Sequence, residues 1–305
     1  MMEDPVIKTN SAKAWLLAAR PKTLSGAAVP VMIGVVLAYT DALAFYEEGT
    51  FSWLAAILCL LFAFAMQIDA NFINDFFDFA NGADDVETRL GPRRACAQGW
   101  VKLDAMKKAI AATTCIACVI GLPLAYFGGL EMILVGILCV VFAFLYTTFF
   151  SYKGLGDILV LVFFGIVPVC CTYYVQLHTV TWQVLLASLA CGLVIDALLI
   201  VNNFRDRDND REAGKNTIIV KLGAEAGLQL YLAVGIGAVI LGGTFWINGH
   251  LLAFVFPLIY LLMHIFTYLK IKRIHHGKAL NHCLGETARN IFIYGLCVSI
   301  GLLLV

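Results

Sequence analysis

Asparagine and aspartate recur in the same order at two places in the chain, in NDFFD (Asn74 to Asp78) and in NNFRD (Asn202 to Asp206). Residues four apart lie on one face of an α-helix, and Asp210 continues the second stripe by one more turn. Carboxylate and amide oxygens are the ligands that Mg²⁺ prefers, and protein-bound Mg²⁺ often completes its shell with substrate phosphates. The two motifs therefore predict a magnesium site shared by two helices.

Basic residues follow both motifs closely, which suggests a substrate that carries strong negative charge. Mg²⁺ together with lysine and arginine neutralises a diphosphate and makes it a good leaving group. An apolar bundle around such a site would supply a dry channel for an isoprenoid tail. The basic candidates are Arg89, Arg93, Arg94, Lys153, Arg205, Arg211 and Lys215.

Three other interpretations compete with this one. The charges could simply mark a solvated helix end, although scattered charge would not keep the same amide–carboxylate order twice. A cation-coupled transporter also uses carboxylates, but those usually lie near the bilayer midplane. Phosphatidyl alcohol transferases pair aspartates with Mg²⁺ as well, yet the D-G-x-x-A-R run that we expect of them does not occur in this sequence.

The elements that must position these residues are transmembrane helices. Only 14% of the 305 residues are charged, 61% are hydrophobic, and the mean hydropathy is +0.86; soluble domains carry about 25% charged residues. Because backbone groups in lipid must satisfy one another, the windows predict an all-α, multi-pass bundle that forms one domain over residues 1–305. We predict nine spans, at 24–43, 53–73, 107–125, 129–149, 157–177, 182–202, 227–247, 251–269 and 290–305.

The distribution of basic residues predicts how the bundle is oriented. Loops 44–52, 126–128, 178–181 and 248–250 contain no lysine or arginine. Since cytoplasmic loops are enriched in these residues, the N-terminus and both motifs should face the cytoplasm and the C-terminus the opposite side. The lipid bilayer is the expected environment; no nucleic-acid partner is expected, and the sequence predicts no oligomeric state.

Five stretches of the chain resemble the UbiA superfamily of intramembrane aromatic prenyltransferases. Within it, the chain is most similar to the 1,4-dihydroxy-2-naphthoate polyprenyltransferases of menaquinone synthesis, which lie in the cytoplasmic (inner) cell membrane. The resemblance is carried by ARPKTL (19–24), NDFFDFANGADD with TRLGPRRA (74–95), YKGLGD (152–157), VNNFRDRDNDREAGKNT (201–217) and KLG (221–223).

The resemblance implies a magnesium-dependent reaction with a polyprenyl diphosphate. The metal contacts would be Asn74, Asp78, Asn202, Asp206 and Asp210. The first motif has Gly82 where the superfamily pattern has its last aspartate, so Asp84 is expected to substitute. Lys153, Arg94 and Lys215 would hold the diphosphate oxygens, with Asp75 as a further catalytic residue that could act through hydrogen bonding. Asn71, Arg89 and Arg205 are the remaining expected substrate contacts.

The resemblance also implies the second half of the reaction. Loss of diphosphate develops an allylic cation, the aromatic acceptor attacks it, and the acceptor carboxylate leaves as CO₂. Arg20 and Lys22 are candidate anchors for that carboxylate, because a guanidinium matches it bidentately; they could instead be interfacial anchors before the first span. Intramembrane Asp196 is expected to hold the acceptor or assist proton removal. Sister enzymes that prenylate 4-hydroxybenzoate or homogentisate remain the alternative.

Overall fold

The computed structural model describes residues 7–82 and 89–304, and the regular secondary structure in that part of the chain is all helical. Residues of the α-helices are, in chain order, α1 Ala12–Ala19, α2 Leu24–Phe45, α3 Trp53–Ala80, α4 Leu103–Gly121, α5 Leu124–Gly128, α6 Glu131–Leu145, α7 Ser151–Lys153, α8 Gly156–Val160, α9 Val167–Leu177, α10 Trp182–Glu212, α11 Ile218–Leu222, α12 Ala224–Leu241, α13 Gly243–Ile247, α14 Leu251–Val255, α15 Pro257–Ile274 and α16 Leu280–Leu303.

Eight helical stretches of the described chain are long and apolar enough to cross a membrane. The final helix, α16, has 24 residues and is therefore about 36 Å long at 1.5 Å per residue. Its first half carries the charged residues Glu286 and Arg289. These lower its hydropathy, so α16 is long enough to cross a membrane but less apolar than the other eight stretches. The chain is an integral membrane protein, and the ninth span stays a prediction.

Both motif-bearing helices continue beyond the spans that hydropathy predicts. The windows end at residues 73 and 202, whereas α3 runs to Ala80 and α10 to Glu212. A hydropathy window detects the hydrocarbon core and is insensitive to a polar helical extension beyond it. The asparagine and aspartate stripes consequently lie on the last turns of rigid helices.

The core of the bundle is formed where α2, α9, α10 and α16 meet. Val29, Ile33 and Leu37 of α2 are fully buried there, together with Val169 of α9. A Cβ at Gly34 would lie 2.7 Å from the Val169 carbonyl oxygen, so only glycine permits this close crossing of α2 and α9. These central contacts fix the helices that carry the second motif.

Two π-helical segments interrupt the helices beside the motifs, at Tyr146–Phe150 and Leu161–Ile166. Such π-bulges are frequent at functional sites. Between them the chain turns at Gly154 (φ +75°), where a side chain would collide with the Asn216 carbonyl oxygen. The Asn216 amide also donates to the Tyr152 carbonyl oxygen at 3.0 Å. These contacts bring the YKGLGD stretch against the loop that follows the second motif.

Candidate active site

One large cavity, of about 960 Å³, joins the two motifs. Its polar end is lined by amides and carboxylates of both α3 and α10 and by four basic side chains. The amides and carboxylates are Asn74, Asp78, Asn202, Asp206 and Asp210, and the basic residues are Arg20, Arg89, Arg94 and Lys215. Nine of the residues that the sequence nominates thus share one cavity.

The first motif lies on the last two turns of α3. Asp78 accepts a hydrogen bond from Arg94, with 3.2 Å between Nη2 and Oδ2, and both side chains are largely buried. The charges of Lys215, Arg89 and Arg20 also act on this carboxylate. Asn74 accepts a hydrogen bond from the hydroxyl of Thr147.

The second motif is organised by Arg205. Its Nε donates to Asp206 Oδ1 at 2.7 Å and its Nη2 to Asn202 Oδ1 at 2.7 Å. Nη1 donates to Asn281 Oδ1 at 2.9 Å, and Asn281 in turn donates to the Leu90 carbonyl oxygen at 2.8 Å. Arg205 is buried and does not line the cavity, so its guanidinium orients cavity residues instead of facing a substrate.

The motifs of α3 and α10 act on each other electrostatically. Lys215 lies 3.8 Å from Asp210, between Nζ and Oδ1, and its charge also acts on Asp78. The negative charges of Asp78 and Asp210 repel one another across the cavity. Oxygen donors of this kind from two helices fit a hard divalent cation. Within the described residues, however, no three acidic, histidine or cysteine side chains form a preassembled metal cluster, because the carboxylates pair with basic side chains instead.

The two motifs differ at their third position for a structural reason. Asp210 is still helical, but α3 ends at Ala80, and Gly82 lies beyond it with φ +71°. That left-handed conformation favours glycine and directs position 82 away from the helical stripe. Asp84, the expected substitute, lies outside the described residues.

Asp75 and Asn71 lie on α3 but hold neighbouring backbone in place. Asp75 is buried and accepts hydrogen bonds from the amides of Ala95 (2.9 Å) and Cys96 (3.0 Å). Asn71 donates to the Ala19 carbonyl oxygen and to the Thr23 hydroxyl, both at 2.9 Å. These bonds fix the turn that carries Arg94 and the segment that carries Arg20.

Three further nominated residues do not line the cavity. Lys22 and Lys153 are exposed, and the Lys153 ammonium lies 3.9 Å from the centre of the Phe149 ring. Asp196 is buried inside α10, behind the cavity wall.

Several cavity residues were not nominated from the sequence. Asp157 stands in the quoted YKGLGD stretch, but a lone aspartate there gave no spacing to interpret. Tyr146, Thr147 and Asn209 also line the cavity. Tyr146 and Thr147 lie within an apolar run, and only the packing of α3 against the Tyr146–Phe150 π-segment brings Thr147 to Asn74.

Away from the motifs, the cavity becomes an apolar channel. It extends between α3, α4, α6 and α9 past Phe62, Cys118, Met132 and Val175. Cys118 of α4 is exposed and lines the cavity, so α4 forms part of the channel wall there.

An integral membrane bundle with a buried acidic and basic site, continuous with an apolar channel, defines a class of proteins suited to lipids with a strongly anionic head. The family model of the UbiA prenyltransferase family matches residues 28–294. The chain belongs to this family.

Relatives of known function are similar over most of the chain. The 1,4-dihydroxy-2-naphthoate octaprenyltransferase of Escherichia coli (strain K12) is 38% identical over 73% of this chain and 72% of its own length. The enzyme of the same name from Mycobacterium tuberculosis (strain ATCC 25618 / H37Rv) is 34% identical over 71% and 72%.

Solved structures share the fold at low sequence identity. The apo structure of a UbiA homolog from Aeropyrum pernix K1 superposes with a TM-score of 0.68 at 18% identity, covering 93% of this chain and 98% of that one. A UbiA homolog from Archaeoglobus fulgidus bound to GPP and Mg²⁺ gives a TM-score of 0.63 at 16% identity, covering 94% and 99%.

Proposed function

We propose that this chain transfers a polyprenyl group from a polyprenyl diphosphate to 1,4-dihydroxy-2-naphthoate, with release of diphosphate and CO₂. The product is the prenylated hydroquinone, which is the reduced form of demethylmenaquinone. The observation that carries the proposal is the single cavity that joins both asparagine–aspartate motifs to an apolar channel. The names of the relatives at 34–38% identity support the naphthoate acceptor.

Magnesium is the proposed cofactor, held by Asn74, Asp78, Asn202, Asp206 and Asp210. When bound, it would neutralise the diphosphate and favour its departure. The facing carboxylates support this assignment, because their mutual repulsion is relieved by a cation. Asp84 stays a predicted ligand outside the described residues.

Arg94, Lys215 and Arg89 are the proposed diphosphate contacts on the protein side. All three line the polar end of the cavity, where the leaving group would lie. Lys153 would have to swing from its exposed position to join them. We assign Asp75, Asn71 and Arg205 to positioning, since each is buried and holds a neighbour.

The apolar walls of the cavity would also exclude water from the allylic cation. Phe142, Phe163 and Phe164 line the cavity near the two π-helical segments. An electron-rich ring held beside them can attack the cation before water does. Arg20 lines the same cavity and is the proposed anchor of the acceptor carboxylate; exposed Lys22 is the weaker candidate.

We further propose nine spans in the cytoplasmic membrane, with α16 as the ninth, the N-terminus inside and the C-terminus outside. The support is the distribution of lysine and arginine along the sequence. This topology opens the polar end of the cavity to the cytoplasm.

Purified protein with Mg²⁺, an isoprenyl diphosphate and 1,4-dihydroxy-2-naphthoate should yield the prenylated, decarboxylated product. If the protein prenylates 4-hydroxybenzoate but not 1,4-dihydroxy-2-naphthoate, the acceptor assignment is wrong, while the assignment as a prenyltransferase still holds. Transport of a substrate or cation across sealed vesicles, without formation of a prenylated product, would favour a transporter instead.

A further inference from the structure

Two aspartates outside the metal motifs face each other across a tight helix crossing. The stretch from α8 through the Leu161–Ile166 π-segment packs along α10, and the glycine contacts show that the two run antiparallel. A Cβ at Gly165 would lie 2.6 Å from the Ser188 carbonyl oxygen, and one at Gly192 would lie 3.0 Å from the Leu161 carbonyl oxygen. A Cβ at Gly156 would lie 3.3 Å from Leu199 Cδ2.

These three contacts define which residues of the two helical segments lie opposite each other. Gly156 lies opposite Leu199, and Leu161 lies opposite Gly192, so residue numbers rise along one segment as they fall along the other. In that register Asp157 comes beside Asp196, and the two carboxylates interact electrostatically.

Asp196 is only 5% exposed, and no hydrogen-bond partner of its Oδ1 lies within the part of the chain that the structure describes. Asp157, in contrast, lines the cavity. The negative charges of two neighbouring carboxylates repel each other, so a pair of this kind favours binding a proton.

Tyr146 connects this pair to the metal motifs. It lines the cavity, and its hydroxyl would lie 3.7 Å from a Cβ at Gly156, next to Asp157. The charges of Asp157 and Asp196 act on Tyr146, as do those of Asp78 on α3 and Asp210 on α10. Asp157 therefore lies in the wall of the same cavity, beside the polar end where the acceptor ring would meet the allylic carbon, and Asp196 lies behind it.

We infer that Asp157, with Asp196 as its positioning partner, takes the hydroxyl proton of the aromatic acceptor and later returns it. This inference rests on the proposed prenyl transfer to a hydroxynaphthoate. Neither residue belongs to the metal motifs or to the basic set that surrounds the diphosphate.

The proton and electrons balance over two steps. The hydroxyl beside the acceptor carboxylate gives its proton to Asp157, its electron pair forms a C=O bond, and the ring carbon that bears the carboxylate bonds to the allylic carbon. The allylic C–O bond breaks, and its electron pair leaves with the diphosphate. The resulting β-keto acid loses CO₂, its C–C electron pair restores the aromatic ring, and the proton returns from Asp157 to the oxygen.

The test compares Asp157→Asn, Asp157→Glu and Asp196→Asn in the purified full-length protein with Mg²⁺, geranyl diphosphate and 1,4-dihydroxy-2-naphthoate. General-base catalysis contributes about 10²–10⁴-fold. We expect Asp157→Asn to lower kcat at least about 100-fold at pH 7, with the KM for the donor unchanged. The difference in kcat between Asp157→Asn and the wild-type protein should become smaller at higher pH, because the acceptor hydroxyl then ionises in solution without a base. Asp157→Glu should keep the wild-type pH profile.

Asp196→Asn should give a smaller loss in kcat and a changed pH profile. Asp69→Asn is the matched control: Asp69 is a buried carboxylate on α3 whose oxygens accept hydrogen bonds from Thr113 and Thr114. It should leave the pH profile unchanged. Direct binding of geranyl diphosphate with Mg²⁺ checks that each variant is folded.

A near wild-type kcat in Asp157→Asn, or a large loss that is the same at every pH, overturns the inference. If the wild-type protein makes no prenylated product at all, the proposed function fails instead. The two failures are therefore distinguishable in one set of assays.

Discussion

Arg205 binds the carboxylate of its own chain neighbour Asp206 with two nitrogens, Nε to Oδ1 at 2.7 Å and Nη2 to Oδ2. The Arg205 side chain is completely buried, and Asp206 is 19% exposed toward the cavity. A bidentate guanidinium fixes both the position and the plane of a carboxylate. The Asp206 carboxylate is thus oriented before any substrate arrives.

Replacing Arg205 by alanine should destabilise the protein by about 3 kcal/mol, at the lower end for a buried ion pair, because the carboxylate that loses its partner is partly exposed to the cavity. Asn202 and Asn281 lose a donor at the same time. We expect a marked fall in the Tm in detergent and a weaker response of activity to Mg²⁺.

The matched control is Arg211→Ala on the same helix. Arg211 contacts Asp208 at 3.8 Å, and both side chains are about half exposed, so that pair contributes little. Equal falls in Tm for the two variants would contradict the role assigned to Arg205.

Replacing Asp75 by alanine should release the turn that carries Arg94. The amides of Ala95 and Cys96 would lose their charged acceptor, at a cost of about 3 kcal/mol in the free energy of unfolding. Because Arg94 contacts Asp78, we expect the KM for the diphosphate donor to rise about 10-fold, equivalent to about 1.4 kcal/mol. Steady-state kinetics measures this.

Asp69→Asn serves as the comparison, since Asp69 is buried on the same helix but bonds to α4. It should lower the Tm without changing the donor KM. If both variants raise KM equally, general destabilisation and not the turn explains the effect.

Introducing tryptophan at Cys118 should narrow the apolar channel where α4 forms its wall. We expect turnover of long polyprenyl donors to fall at least about 10-fold while geranyl diphosphate is still used, because a filled channel excludes only the longer tail. Competition assays with donors of two lengths give this ratio.

Cys115, one turn earlier on α4, is also exposed but does not line the cavity. Cys115→Trp should leave the ratio of long-donor to short-donor turnover unchanged. An identical change in both variants would mean that the tail does not pass this side of α4.

The helical class and both stripes could be predicted from the sequence, because hydropathy and the i, i+4 spacing are local properties. The comparisons confirm the family, and one cavity is lined by Asn74, Asp78, Asn202, Asp206 and Asp210. Their role as metal contacts stays a prediction. Roles that depend on what another segment contributes could not be predicted. Asp75 belongs to the motif stripe, yet its partners are amides twenty residues further along the chain.

Asp157 illustrates the same limit. It stands in the YKGLGD stretch without a second carboxylate at helical spacing, and only the close packing of Gly165 and Gly192 places it beside Asp196. The asymmetry of the two motifs likewise depends on where each helix ends, since α3 stops before position 82 while α10 continues through Asp210.

The central claim is that the two motifs form one metal-dependent site for prenyl transfer to a carboxylated ring. The most direct measurement follows CO₂ released from carboxyl-labelled 1,4-dihydroxy-2-naphthoate together with diphosphate, for the wild-type protein and for Asp78→Asn and Asp206→Asn. Asp208→Asn, an exposed carboxylate on α10, is the control. We predict that the wild-type protein releases equal amounts of CO₂ and diphosphate and that EDTA abolishes the release of both. Each motif variant should reduce the release at least about 100-fold, as expected for the loss of one strong electrostatic contact. The control variant should release both products at the wild-type rate. Diphosphate released without CO₂, or turnover that persists in both motif variants, would contradict the account.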